Sequence, residues 1–93
     1  MAALTQSEIN NLLNSLTGWK IDSGKLIRHW KFKDFREAMS FVNQVAEVAE
    51  SQGHHPDIDI RYNEVRLGLI SHDAGGITAR DAKMAADLNN RFD

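Results

Sequence analysis

Two short alternating segments separated by a turn constrain the fold of this chain more than any other feature. Apolar and polar residues alternate over residues 58–62 and again over residues 65–69, with Asn63-Glu64 between them. Such alternation is typical of strands with one buried face, and a short polar segment between two of them predicts a β-hairpin that turns at Asn63-Glu64. A hairpin alone is at best marginally stable in water, so other elements must cover its apolar face.

The rest of the chain contains the patterns of another hairpin and of three helices. In chain order, the predicted elements are a helix capped by Thr5-Gln6-Ser7-Glu8 and stopped by Gly18, a hairpin over residues 19–32 that turns at Ser23-Gly24, a helix over residues 34–52 ended by Gly53, the hairpin described above, and a helix capped by Thr78-Ala79-Arg80-Asp81. The 93 residues suffice for a single domain over residues 1–93. The order α-β-β-α-β-β-α predicts an α+β fold, with a four-stranded antiparallel sheet and three helices packed on one face.

The apolar residues of the second helix cover more of its circumference than one contact surface requires. Between Phe35 and Ala49 they spread over about half of it, against the ~100° of an ordinary buried stripe. Deep burial of the helix would explain this spread, but a domain of this size has a thin core. We therefore expect a partner subunit to cover the excess. The aromatic residues are assigned to the core: Trp19, Trp30, Phe32 and Phe35.

Composition excludes several classes of function. The formal net charge is −2 and the basic residues are dispersed, so the chain has no electrostatic footprint for nucleic acid. The absence of cysteine removes disulfides, thiolate metal ligands and a cysteine nucleophile. No apolar run approaches the ~20 residues of a membrane span, and residues 1–6 lack the basic and apolar regions of a signal peptide. We expect a soluble, cytoplasmic protein that does not contact membranes.

Three of the four histidines flank the second predicted hairpin. His54 and His55 precede it and His72 follows it, while Pro56 favours an extended backbone at His55. In an antiparallel pair, the residue that enters the first strand lies near the residue that leaves the second. The three imidazoles are therefore expected at one end of the sheet. Because imidazole exchanges protons in both directions near neutral pH, this cluster indicates acid-base catalysis.

Other interpretations of these residues stay open on local grounds. Histidines beside a proline can simply cap a loop, and three histidines can bind zinc, although this spacing matches none of the usual zinc patterns. Asp81 lies at the third position after Thr78, where a carboxylate completes a capping box. Glu50 lies one helical turn before His54, where it either faces the same pocket or is an ordinary solvated residue.

The spacing of these residues resembles the signature of a known family. Glu50-x3-His54-His55-Pro56-x5-Tyr62-x9-His72-x8-Asp81 is similar to the pattern of the pterin-4a-carbinolamine dehydratases. The likeness extends to Phe32-Lys33-Asp34-Phe35, Tyr62-Asn63-Glu64-Val65, Ser71-His72 and Gly75-Gly76, and so covers nearly the whole chain. It implies a fold like the one above. It also implies dehydration of 4a-hydroxytetrahydrobiopterin to quinonoid dihydropterin without metal or cofactor, which recycles the pterin used by aromatic amino acid hydroxylases.

The resemblance also implies a role for each residue. His54 and His72 would be the acid-base pair, His55 would orient the pterin, Asp81 would support the site through a histidine, and Glu50 and Ser71 would contact the substrate at the pocket edge. Two positions depart from the family: many members have an acidic residue where this chain has Gly53, and an aromatic residue where it has Ile58. Both departures concern how tightly the pterin is held.

The family also implies an assembly and two alternative functions. Members form dimers or tetramers through sheet edges and the second helix, whose apolar residues here lie within residues 35–49. Some animal members double as dimerisation cofactors of a homeodomain transcription factor, so a binding module is one alternative. The other is a pterin-related role in molybdenum cofactor metabolism.

Overall fold

A computed structural model describes residues 2–93, and Met1, with which the predicted domain begins, lies outside the described residues. The elements are α1 (Gln6–Ser15), β1 (Lys20–Asp22), β2 (Lys25–Lys31), α2 (Phe35–Gln52), β3 (Asp57–Arg61), β4 (Glu64–Leu69), a 3-10 turn (His72–Ala74) and α3 (Ala79–Phe92). The predicted α+β class and the order α-β-β-α-β-β-α are confirmed. No helix within residues 2–93 has the length and apolar character needed to cross a bilayer.

The four strands form one antiparallel sheet in the order β1-β2-β4-β3. The longest pairing joins the two central strands, from Leu26 opposite Leu69 to Lys31 opposite Glu64. Strands β1 and β3 are therefore the edges of the sheet. The open end of the β3–β4 hairpin, with its flanking histidines, continues directly into the segment that leads from β4 to α3.

Side-chain caps set the ends of the helices largely as predicted. Thr5 and Glu8 form the expected capping box, in which each side chain accepts a hydrogen bond from the other residue's backbone N–H. Helix α1 then ends at Ser15, before the expected stop at Gly18. Helix α2 ends at Gly53, which adopts the left-handed conformation (φ 62°) that glycine favours at helix ends.

The turn of the second hairpin lies one residue earlier than predicted. Tyr62 and Asn63 form it, whereas Glu64 pairs with Arg61 inside the ladder. A two-residue hairpin loop needs a positive φ at its first position, and Tyr62 supplies it (φ 53°). Its side chain is consequently 65% exposed and does not extend the apolar face of β3.

The core lies between the helices and one face of the sheet, so the predicted layer arrangement is confirmed. The strand residues of this core are Leu26, Val65, Leu67 and Leu69, and the helices contribute Ala38, Phe41, Val45, Val48, Ala49, Met84, Ala85 and Leu88. Trp19 is buried, and Trp30 and Phe32 pack against this cluster. The assignment of Phe35 to the core is wrong, because this first residue of α2 is 51% exposed.

Part of the apolar surface is left uncovered. On α2, Phe35, Met39, Val42 and Ala46 follow one another at helical spacing and are partly or fully exposed, and we call them the α2 strip. On β3, Ile58 pairs with the buried Leu67 and so faces the helical side, yet it is 39% exposed. The prediction of a buried face on β3 is therefore only partly right, because an edge strand lies beyond the layer of helices.

Candidate active site

A cleft lies at the end of the β3–β4 hairpin, on the side opposite its turn. Asp57 pairs with Gly68 at this end, so the residues just before β3 and just after β4 are neighbours. The first turn of α3 closes the third side. The cleft has a volume of about 220 Å³ and is lined by Gly53, His54, His55, Ile70, Ser71, His72, Asp73 and Arg80. The three histidines that flank the hairpin thus border one cleft.

His54 is held against a buried carboxylate from a distant part of the chain. Its Nε2 lies 2.5 Å from Oδ1 of Asp81, and the two residues are 8% and 0% exposed. The backbone N–H of His54 also donates to the carbonyl of Ala49, near the end of α2 (3.1 Å). Because Nε2 faces Asp81, Nδ1 is the ring nitrogen that remains available to another molecule.

The second oxygen of Asp81 accepts two more hydrogen bonds. The backbone N–H of Thr78 and the hydroxyl of Ser71 both donate to Oδ2, each at 2.9 Å. The Ser71 and Thr78 hydroxyls also lie 2.9 Å from each other, and both residues are buried. Asp81 therefore completes the predicted capping box of α3 and contacts His54 at the same time. Ser71 borders the cleft, but its hydroxyl is engaged below the surface with Asp81 and Thr78.

His55 lies at the rim of the cleft and pairs with Glu50. The Nε2 atom of His55 is 2.5 Å from Oε2 of Glu50, and the two side chains are 65% and 76% exposed. Glu50 does not line the cleft; it borders a shallow groove along α2 with Asn43 and Ala46. Exposed ion pairs contribute only about 0–1 kcal/mol, so Glu50 holds the His55 ring weakly.

His72 begins the 3-10 turn, which is joined to α3 by an ion pair. Nη2 of Arg80 donates to Oδ1 of Asp73 at 2.6 Å. This hydrogen bond lowers the pKa of Asp73 below the ordinary value of an aspartate. Asp73 and Arg80 both line the cleft, and neither was predicted as a site residue. The only signal in the sequence is a pair of opposite charges seven positions apart, and the Gly75-Gly76 loop between them breaks the helical periodicity that would place them on one face.

The geometry also bears on the zinc alternative. Among residues 2–93, no group of three or more His, Cys, Asp or Glu side chains is placed to hold a metal ion. The reason is visible in the two adjacent histidines: His54 turns Nε2 toward Asp81, whereas His55 turns Nε2 toward Glu50. Adjacent residues in extended chain point in different directions, so these two rings do not converge.

The fold and the cleft define a class of small α+β domain whose candidate site combines histidines with one buried carboxylate. The chain matches the model of the family described as "Pterin 4 alpha carbinolamine dehydratase" over residues 2–91, and it belongs to that family. A relative from Acidobacterium capsulatum is 56% identical over 88 residues, which cover 95% of this chain and 96% of the relative. One from Thermomicrobium roseum is 53% identical over 88 residues, 95% of each chain. Both are provisionally named pterin-4-alpha-carbinolamine dehydratases.

Solved structures agree with the family assignment. A crystal structure of a transcriptional coactivator/pterin dehydratase from Brucella melitensis matches with a TM-score of 0.88 and 41% identity, over 95% of this chain and 96% of that one. A pterin dehydratase-like protein, described as a RuBisCO assembly factor in the α-carboxysome, matches with a TM-score of 0.62 at 19% identity, over 77% of this chain and 83% of that one. This second likeness shows the fold alone.

Proposed function

We propose that this chain is a hydro-lyase that dehydrates 4a-hydroxytetrahydrobiopterin to quinonoid dihydropterin. The observation that carries the proposal is the cleft itself, where three histidines border one space and a buried carboxylate holds one of them, in a chain of the pterin dehydratase family. The C4a–O bond breaks as the oxygen is protonated and leaves as water, while the N5 lone pair forms a C4a=N5 double bond. The resulting cation loses a proton from a ring nitrogen. The dehydration neither consumes nor releases electrons, so the reaction requires no redox cofactor.

His54 and His72 are the proposed acid-base pair. The Asp81 carboxylate holds the Nε2 side of His54, so proton exchange with the substrate takes place at Nδ1. A carboxylate in this position also stabilises the positively charged imidazole that forms when His54 accepts a proton. His72 exchanges the second proton from the other side of the cleft. Two groups with opposite tasks are needed, because one proton is delivered as another is removed.

The remaining residues have proposed supporting roles. His55, at the exposed rim, orients the pterin ring, and Glu50 acts through its contact with His55. Asp81 supports the site through His54. For Ser71, the hydroxyl contacts favour a role in fixing Asp81 over direct contact with the substrate. Gly53 and Ile58, where the chain departs from the family, present no acidic or aromatic side chain to the pterin.

The proposed physiological role is recycling of the pterin spent by aromatic amino acid hydroxylases in the cytoplasm. A pterin-related role in molybdenum cofactor metabolism is the alternative within the same chemistry, and it would use the same cleft. The two are separated by comparing turnover of hydroxypterins that carry different side chains.

The proposal predicts that His54→Ala and His72→Ala lower the enzymatic rate by about 10²–10⁴-fold, the usual contribution of one acid-base group. His29→Ala is the matched control, because His29 is exposed on β2 and lines a different surface depression. The measurement is loss of water from 4a-hydroxytetrahydrobiopterin, corrected for the spontaneous reaction. Equal rates for wild type, His54→Ala and His72→Ala would contradict the assigned roles. A rate abolished by a chelator would point to a metal.

The α2 strip bears on the assembly of this chain, and it is also the observation that favours the second candidate function, a binding module. Phe35 is 51% exposed there, and an exposed row of apolar residues marks an interaction surface. We propose that a second copy of the chain covers this surface, giving a homodimer or homotetramer through α2 and the sheet edges. Light scattering on the purified protein tests the assembly. A stable complex with another protein, combined with no turnover by the pure chain, would favour the binding module instead.

A further inference from the structure

The turn that carries His72 is closed on itself by backbone hydrogen bonds. Ser71 and Gly76 exchange N–H···O=C bonds of 3.0 and 3.3 Å across its base. Within it, the N–H of Ala74 donates to Ser71 and that of Gly75 donates to His72, at 3.1 and 3.2 Å. These bonds fix the shape of the turn. They do not fix its position relative to the rest of the cleft.

Two side-chain contacts fasten the turn to α3, and they flank His72. Ser71, just before it, donates to Asp81, and Asp73, just after it, accepts from Arg80. Arg80 and Asp81 are successive residues in the first turn of α3. Asp81 also holds His54. The first turn of α3 therefore holds His54 through Asp81, and it holds the His72 turn through both Asp81 and Arg80.

We propose that Arg80 is a positioning residue that, through Asp73, holds the His72 turn against α3 and so sets the place of the His72 imidazole in the cleft. The proposal rests on the proposed function, in which His72 exchanges a proton with the pterin. The lowered pKa of Asp73 means that its carboxylate stays charged well below neutral pH, so the contact persists under the conditions of an assay near neutral pH.

Direct binding of the substrate by Arg80 explains the contacts of this side chain less well than the positioning role does. Its Nη2 is already engaged with Asp73, and its Nε is buried without a hydrogen-bond partner among the described residues. The substrate carries no phosphate or carboxylate that would call for a guanidinium partner. A link between helix and turn explains both the location of Arg80 and its contact.

The expected effect is on turnover rather than on substrate affinity. Displacement of a catalytic group by about 1 Å can lower a rate by ~10²-fold, and loss of one exposed link will displace the turn by less. We expect Asp73→Asn and Arg80→Gln each to lower kcat about tenfold with KM nearly unchanged, because a proton donor acts mainly in the transition state. The double variant should be no worse than the poorer single one, since both remove one contact. Asp73→Glu, which keeps the carboxylate, should recover part of the rate.

The experiment measures kcat and KM for these variants in the wild-type chain and in His72→Ala. Asp73→Asn should have no further effect on kcat once His72 is absent, whereas a general loss of structure would lower the rate again. Asp59→Asn is the matched control, because it breaks an exposed Asp–Arg ion pair on β3, between Asp59 and Arg61. Amide exchange at Ala74 and Gly75 gives a readout that needs no activity. It should accelerate in Asp73→Asn and stay unchanged in Asp59→Asn.

The outcomes separate this proposal from the function on which it rests. An inactive wild-type chain would overturn the proposed function. An active wild type, with kcat unchanged in Asp73→Asn and Arg80→Gln, would overturn the positioning role alone. Additive losses for Asp73→Asn in the His72→Ala background would also overturn it, because the effect would then not pass through His72.

Discussion

Replacing Asp81 with asparagine is expected to move the proton on His54 while leaving the shape of the site nearly unchanged. The carboxylate accepts from Thr78 and Ser71 at Oδ2 and contacts Nε2 of His54 at Oδ1. An asparagine has a single acceptor oxygen, which would accept the hydrogen bonds from Ser71 and Thr78. Its NH₂ group would then face Nε2 of His54. Because NH₂ only donates, Nε2 must become an acceptor and the proton must move to Nδ1.

Asp81→Asn is expected to lower both the rate of the reaction and the stability of the fold. Under the proposed function, a neutral His54 protonated at Nδ1 has no base facing the substrate, so kcat should fall by about 10²–10⁴-fold. A hydrogen bond to a charged group contributes about 1.5–3 kcal/mol and a neutral one about 0.5–1.5 kcal/mol, so the change at the three contacts of residue 81 should cost at most about 3 kcal/mol, because removal of a buried charge offsets part of it. For a domain of this size that lowers Tm by at most about 12–24 °C. The protein should therefore stay folded while it loses its activity.

The assay combines kinetics with a direct view of the imidazole. Dehydration is followed well below the melting temperature, and ¹⁵N NMR of the histidine side chains reports which ring nitrogen of His54 carries the proton. Asp59→Asn is the control, because it makes the same chemical change on β3, where Asp59 pairs only with the exposed Arg61 among the described residues. A wild-type kcat in Asp81→Asn, or a His54 ring that keeps its proton on Nε2, would refute the reasoning.

Two further predictions concern the cluster around Arg28, which lies over the Trp30 ring and donates to Asp93 from both terminal nitrogens, Nη1 and Nη2, at 2.9 and 2.8 Å. Its hydrogen bonds lower the pKa of Asp93, so the stabilisation is present above the ordinary aspartate pKa of about 3.9 and is lost as the pH falls through the lowered value. In urea titrations, Asp93→Asn should lower the free energy of unfolding at neutral pH by about 1 kcal/mol or less, since Asp93 is partly exposed. The difference between variant and wild type should vanish in acid, and a difference that persists there would contradict this prediction. In thermal melts, Gly18→Ala should lower Tm more than Gly24→Ala does. Both glycines have positive φ (86° and 77°), but only at residue 18 would the new Cβ lie 2.7 Å from Nε of the anchored Arg28. Equal losses of Tm would contradict the clash.

The parts of the fold that follow from short-range rules could be predicted from the sequence. The capping boxes of α1 and α3 depend on residues three apart, and both form. The gathering of the three histidines follows from the pairing of one hairpin. The position of the turn was wrong by one residue, because Tyr62 adopts a positive φ that its residue type does not suggest.

The details that were missed depend on packing between distant segments. Nothing near Asp73 in the sequence indicates a contact with Arg80, since the intervening loop follows no period. Exposure of Ile58 follows from the place of β3 at the edge of the sheet, and strand alternation carries no information on strand order. The sequence places Glu50 at the pocket edge, whereas within residues 2–93 its side chain bonds only to His55, because it leaves α2 on the exposed side.

Asp81 couples the integrity of the site to that of the fold. Asp81, His54, Ser71 and Thr78 form a buried hydrogen-bond network that joins three segments: the end of α2, the chain after β4 and the start of α3. In a low-dielectric interior, a network with one member missing leaves an unsatisfied polar group, so partial assembly is unfavourable. The network should therefore form or break as a unit. Opening of the first turn of α3 alone would release His54 and, through Asp73, the His72 turn. Activity should then be lost at lower denaturant concentrations than the secondary structure, because this local opening requires less free energy than global unfolding.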